Sequence, residues 1–296
     1  MPSAKAKGIL AITTSAFGFA LMALFVRLCD DYGTAVNSFQ KSFFRNLVAL
    51  AIAGVAWGKT RGVGRSSCAS PASVASLTRA KTWALLVARS VLGTVGIFAN
   101  FYAISHVTIA ESQTLNKTAP FFTVLFAWLF LGEKATRRQW IPLALAFCGV
   151  LLIAKPGFAG AQTFPLAIGL MSGVCAGGAY GCVRGLRRHD VAPAFIVLFF
   201  SAFSCLASVP FLLVGFDPMT GRQVAILFGA GAGAALGQFG VTLAYGYAAP
   251  KEIAVYDYSN ILFTTALGFL FFGQVPDVWS FAGFAAILIA AYRMFR

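Results

Sequence analysis

Charge is what this chain has little of. Of its 296 residues only 11% are charged, where a water-soluble domain carries about 25%. Acids are the scarcest class, nine Asp and Glu against 23 Lys and Arg. Histidine is nearly missing too: His106 and His189 are too few to build a metal cluster. Six cysteines are scattered at Cys29, Cys68, Cys148, Cys175, Cys182 and Cys205, with no C-x-x-C pair among them. Neither a disulfide framework nor a metal or cofactor site is implied. No G-x-x-x-x-G-K-[ST] phosphate loop occurs, so ATP-driven pumping by this chain is not expected. An integral-membrane enzyme would need a metal cluster or a nucleophile–base set, and neither stands out. A sensor or scaffold would need a soluble output domain, for which no segment is long and polar enough. A channel is the remaining rival, disfavoured by charges of both signs at membrane depth.

What is present is hydrophobic sequence in long blocks, 59% of the chain. A membrane-spanning helix needs ~20 mostly apolar residues. Ten such segments follow one another: 8–28, 37–58, 82–105, 107–131, 139–154, 164–185, 192–214, 223–248, 252–272 and 278–292. The first block lacks a small-x-small cleavage site and reads as a spanning helix rather than a signal peptide. The expected fold is therefore an all-α membrane protein of ten transmembrane helices.

The net charge of +14 follows the loops rather than forming a nucleic-acid face, so no nucleic-acid partner is expected. With the N-terminus inside, the cytoplasmic side collects Lys5, Lys7, Lys59, Lys81, Lys134, Arg137, Arg138, Arg184, Arg187, Arg188, Lys251 and Arg293, among others. The other side keeps only Arg27, Lys155 and Arg222. That asymmetry places both termini in the cytoplasm of a cell whose inner membrane holds the chain. The only sizeable loop, 59–81, is rich in Ser, Gly and Ala and reads as a flexible cytoplasmic connector.

The sequence also repeats itself. A shift of 141 positions lays Gly96 and Phe98 on Gly237 and Phe239, Glu111 on Glu252, and Thr123 on Thr264. Leu129-Phe130-x-Gly132 meets Leu270-Phe271-x-Gly273. Two halves of five helices each cross the membrane an odd number of times, so the second copy is inverted. Such inverted repeats are a transporter pattern, with the solute site at the repeat interface near the midplane. The halves are read as residues 8–155 and 164–293.

The stretch 100–156, NFYAISHVTIAESQTLNKTAPFFTVLFAWLFLGEKATRRQWIPLALAFCGVLLIAKP, resembles the first-repeat pattern of the drug/metabolite transporter superfamily. Its Ala-containing third helix, its Pro mid-way along the fourth and its L-G-E before a basic turn carry the likeness. Arg45 matches an Arg common at that position in the ten-helix branch with two EamA domains. The resemblance extends over nearly the whole chain and implies a metabolite carrier, in a branch that includes S-adenosylmethionine carriers. One departure is Gln274, where the first repeat has Glu133.

Ionisable residues at membrane depth normally face a cavity or a partner. Six fall inside the spans: Lys41, Arg45, Arg89, Glu111, Lys117 and Asp257. Lys41 and Arg45 share a helix face. Glu111 opens a polar run that includes Asn116 and Lys117, with Pro120 as a kink that frees backbone groups. Asp257 sits at the repeat position of Asn116, beside Tyr256 and Asn260. Gln238 is a further candidate for the cavity wall. The expected translocation set is thus Lys41, Arg45, Glu111, Asn116, Lys117, Gln238, Tyr256, Asp257 and Asn260. Arg89, Pro120 and Glu133 are assigned structural or gating roles, Arg89 by snorkelling to the cytoplasmic interface. The alternative is that the charges simply pair, for example Lys41 or Arg45 with Glu111. The solute would be a small polar or zwitterionic metabolite, amino-acid-like or nucleoside-like, with proton coupling left open. A monomer and a homodimer are equally compatible with the sequence. Glycines every four residues, Gly169 to Gly185 and Gly229 to Gly237, are expected to let helix backbones approach closely.

Overall fold

The computed structural model describes residues 4–33, 36–62, 79–106, 109–154, 163–273 and 278–295. Most of the 59–81 connector, and Gln274, lie outside them. The described residues are helical and contain no strand. Helices α1 (Ala4–Asp31), α2 (Ser38–Gly62) and α3 (Arg79–His106) are followed by the short α4 (Ile109–Asn116) and α5 (Ala119–Leu131), then α6 (Arg137–Ala154). Next come α7 (Thr163–Arg188), α8 (Pro193–Val214), α9 (Gly221–Tyr247) and the single-turn α10 (Pro250–Ile253). A 3-10 turn, Ala254–Tyr258, leads into α11 (Ser259–Phe272), and α12 (Val278–Phe295) ends the described chain. Seven stretches among the described residues are long and apolar enough to cross a membrane. They include Ser112–Leu131 and Pro250–Phe272, which run through both short-helix pairs. The protein is a multi-pass, all-helical membrane protein.

Two spans that the sequence reads as continuous are broken. Between α4 and α5 the Thr118 N–H bonds Leu115 O at 3.1 Å, a tightened turn, and the Thr118 hydroxyl donates to the same carbonyl at 2.8 Å. Pro120 supplies no N–H and sits in the first turn of α5, so the break falls just before it. The second break, at Ala254–Tyr258, holds no proline, and the sequence carries no signal for it. Both broken segments close on a left-handed glycine, Gly132 (φ 67°) and Gly273 (φ 63°), where any side chain would be strained. Those glycines are 141 positions apart. The helix bounds keep the same spacing: α6 runs from 137 to 154 and α12 from 278 to 295.

Packing is reciprocal. α1 lies against α9 and α3 against α7; α5 packs on α7 and α11 on α1; α6 pairs with α12 and α2 with α8. The α7 glycines seat the broken helix directly. A Cβ on Gly173 would strike Leu115 O and the Thr118 hydroxyl, and one on Gly177 would come within 2.9 Å of Ala119 O. On the other side, Gly233 and Gly240 admit the α1 backbone at Gly18 and Ala11. Close backbone approach of this kind is how helices associate where lipid offers no hydrophobic contrast.

Candidate functional site

These packings leave a polar cavity where α1, α2, α3, α4, α7, α8 and α9 converge. Its volume is about 70 Å³, room for roughly two waters and no larger solute in this conformation. α2 contributes Arg45, α3 contributes Arg89 and Asn100, and α4 with its break contributes Gln113, Asn116 and Lys117. Tyr180, Phe200, Gln238 and Phe19 complete the wall from α7, α8, α9 and α1.

Arg45 and Arg89 are each 2% exposed. Arg89 does not snorkel: it turns inward, its Nη2 donates to Gln238 Oε1 at 2.6 Å, and its guanidinium lies 3.7 Å from the centre of the Phe200 ring. The short helix-end distance that suggested snorkelling is overridden by this pair of partners on α8 and α9. The Arg45 Nε and Nη1 and the Arg89 Nε have no hydrogen-bond partner among the described residues. The same holds for Asn100 Oδ1 and Gln113 Nε2. A buried polar atom without a partner is uncommon and costly, so five on one cavity make it the candidate site.

Lys117, at the first break, reaches across to Asp257, at the second, with Nζ 3.3 Å from Oδ2. Both side chains are nearly inaccessible, 6% and 7% exposed. The pair therefore ties one helix break to the other at the edge of the cavity. Asn116 donates to Ser172 Oγ at 3.1 Å and thereby anchors α4 on α7.

Of the expected translocation residues, Arg45, Asn116, Lys117 and Gln238 line the cavity, and Asp257 joins it through Lys117. Lys41 does not line it. Its Nζ sits 2.6 Å from Asp30 at the end of α1. The α1–α2 connection is short enough to fold Asp30 back onto Lys41. Asn260 is committed to packing, its Nδ2 donating to Ala16 O at 2.7 Å. Tyr256 packs beside the apolar clusters around Tyr245 and Tyr258, away from the cavity wall. The Glu111 side chain lies outside the described residues. Glu133 is gripped by Arg184, Nε to Oε1 at 2.8 Å, with Arg188 at 3.7 Å. Arg184 also donates to Tyr245 O at 2.9 Å, so one guanidinium clamps the ends of α5, α7 and α9 together. Asn100 and Gln113 are cavity residues that the charge-centred reading passed over. In the sequence Asn100 is a lone amide on an apolar helix, and Gln113 lies within the polar run that Glu111 opens. No group of His, Cys, Asp and Glu able to hold a metal ion occurs among the described residues.

The profile of the EamA-like transporter family matches residues 6–155, just over half of the chain. The chain is also 34% identical to the pseudopaline exporter CntI of Pseudomonas aeruginosa over 214 residues, covering 72% of this chain and 75% of that protein. This chain belongs to the EamA-like transporter family. Further relatives of this EamA-like transporter include an uncharacterized transporter of Helicobacter pylori, 27% identical over 95% of this chain and 92% of its own. A riboflavin transporter of Rhizobium johnstonii is 28% identical over 70% of this chain and 68% of its own. A solved crystal structure shares the fold with a TM-score of 0.71, at 18% identity and over 95% of both chains.

Proposed function

We propose that this EamA-like transporter is a secondary carrier of ten spans, built as two inverted five-helix repeats with both termini cytoplasmic. It moves a small polar or zwitterionic metabolite across the inner membrane by alternating access. The repeat reading is supported by the 141-residue spacing of Gly132 and Gly273 and of α6 and α12, and by the reciprocal helix packing. Three further helices among the described residues, α2, α6 and α12, are added to the seven apolar stretches in this reading to give ten spans.

One observation carries the reading: the buried Lys117–Asp257 pair links the breaks of the two halves beside a polar cavity. Broken helices at the midplane are where carriers bind solute, because backbone and side-chain groups freed there face a cavity instead of lipid. A carrier must let the two halves move past each other. An ion pair between the breaks supplies groups that a zwitterion, or a proton on Asp257, would exchange with. The relatives' names mention two unlike solutes, pseudopaline and riboflavin, so the solute here is argued from the cavity instead.

Counterflow in proteoliposomes tests this. The wild type is expected to exchange an internal zwitterionic metabolite for external label, while Asp257→Asn and Lys117→Gln lose the exchange. Retention of the wild-type rate in both variants would remove the pair from the translocation path.

A further inference from the structure

We infer that Arg45 and Arg89 form a subsite for a doubly anionic oxygen group, either two carboxylates of one solute or a single phosphoryl dianion. This rests on reading the central cavity as the solute site, and it narrows the solute from polar or zwitterionic to acceptor-rich.

The argument is one of unmatched donors. Around the cavity the unpartnered buried atoms are four donors, Arg45 Nε and Nη1, Arg89 Nε and Gln113 Nε2, against one acceptor, Asn100 Oδ1. Water could hydrogen-bond some of them but carries no charge, and two guanidiniums remain. Arginine stays protonated even when buried, so the site cannot neutralise itself by losing protons. Among the described residues, neither Arg45 nor Arg89 forms a salt bridge, whereas Lys41, Lys117 and Arg184 each have an acid. Two cations at membrane depth with no acid among the described residues are expensive, and an anionic ligand with several acceptor oxygens relieves both.

The geometry suits a planar fork. Gln238 Oε1 occupies one Nη of Arg89, and the Phe200 ring covers the guanidinium face. These two contacts fix its plane and leave the Nε edge without a partner. A guanidinium held in this way can pair with a carboxylate or phosphoryl group through parallel hydrogen bonds. Lys117 lies on the same wall but is already paired, so it takes part only when Asp257 is released. The lone acceptor, Asn100 Oδ1, asks for one N–H or O–H on the solute. The composite is a solute with two negative charges and at least one donor. Because the cavity holds only about 70 Å³, binding requires the halves to part, which makes the filled state a different conformation from this one.

Calorimetric titration of the purified full chain in detergent tests the subsite with defined probes. These are glutarate and methyl phosphate as dianions, butyrate as the monoanion and glutaramide as the neutral control. The dianions are expected to bind at least about tenfold tighter than butyrate, and glutaramide weakest. A preference for glutarate assigns the dicarboxylate source, and a preference for methyl phosphate the phosphoryl source. Arg45→Met and Arg89→Met should each collapse the dianion preference toward unity while keeping or raising the melting temperature, since each removes an unpaired buried charge. Arg89→Lys, which keeps the charge and loses the fork, should retain an intermediate preference and guards against misfolding of the methionine variant. Equal affinities for mono- and dianions, no measurable dianion binding by the wild type, or an undiminished preference in both methionine variants would each overturn the subsite. Dianion binding without counterflow would instead retire the carrier reading and leave the subsite in place.

Discussion

The two sides of α7 make opposite cavities. One face, with Ala176, Ala179 and Tyr180, closes the polar cavity of about 70 Å³. The other, with Val174, Cys175, Gly178, Gly181 and Cys182, floors a groove of about 410 Å³ between α3 and α5, lined by Leu85, Leu92, Phe126 and Phe130. The larger space has an apolar lining, while the smaller holds two arginines with no acid partner among the described residues. A dry groove at membrane depth costs little to leave open, because lipid tails are as apolar as its walls. A polar cavity draws its walls together, since each unpartnered donor gains from any neighbour it can reach. The larger space is thus the apolar one and the smaller is rich in unmatched hydrogen-bonding capacity, and the proposed solute site rests on that capacity rather than on size.

The contrast can be broken most forcefully at the polar side. Asp257→Ala leaves Lys117 buried without its partner and is expected to destabilise the fold by about 3–5 kcal/mol, while the double replacement Lys117→Met with Asp257→Leu is close to neutral. Thermal unfolding of the two variants in one detergent measures it; a negligible shift for the single variant would show that water reaches the pair. A middle-sized effect is expected where the glycine stripe seats the broken helix. Gly177→Leu drives its side chain into Phe122 and the α5 backbone, costing about 1–3 kcal/mol and slowing transport. One turn further on, at the groove, the sign reverses. Gly181→Ala places its methyl 3.4 Å from Phe126, an ordinary contact, and replaces a helix-interior glycine. A gain of up to about 1 kcal/mol with unchanged counterflow is expected. A loss at Gly181 as large as at Gly177 would mean that α7 seats α5 as tightly beside the groove as it does at the break.

Several residues of the polar cavity stand out along the chain because bilayers make ionisable residues rare. Arg45, Lys117 and Asp257 stand out against apolar neighbours, and Asn116 gains weight from its repeat position opposite Asp257. Arg89 was visible but misjudged. Distance from a helix end suggests snorkelling, whereas its direction depends on Gln238 and Phe200, which arrive from helices more than 100 positions away. Lys41 shows the converse: its charge looked available, and a nearby acid outside the spans, Asp30, had already taken it. The Ala254–Tyr258 break left no trace because its residues are compatible with a helix, and only packing against α1 and α5 selects the tighter turn.

The sequence by itself determined the membrane class and the helical content, because these follow from composition and block length, which are properties of the chain alone. It also nominated the charges. Tertiary structure alone decided which charges meet. Lys117 and Asp257 are 140 positions apart and become partners only because two helix breaks come to the same level, and Arg45 and Arg89 remain without acids only because no described carboxylate is folded within reach. Pairing is set by distances of a few ångströms between separate helices, and that information lies in how the helices pack rather than in the order of the residues.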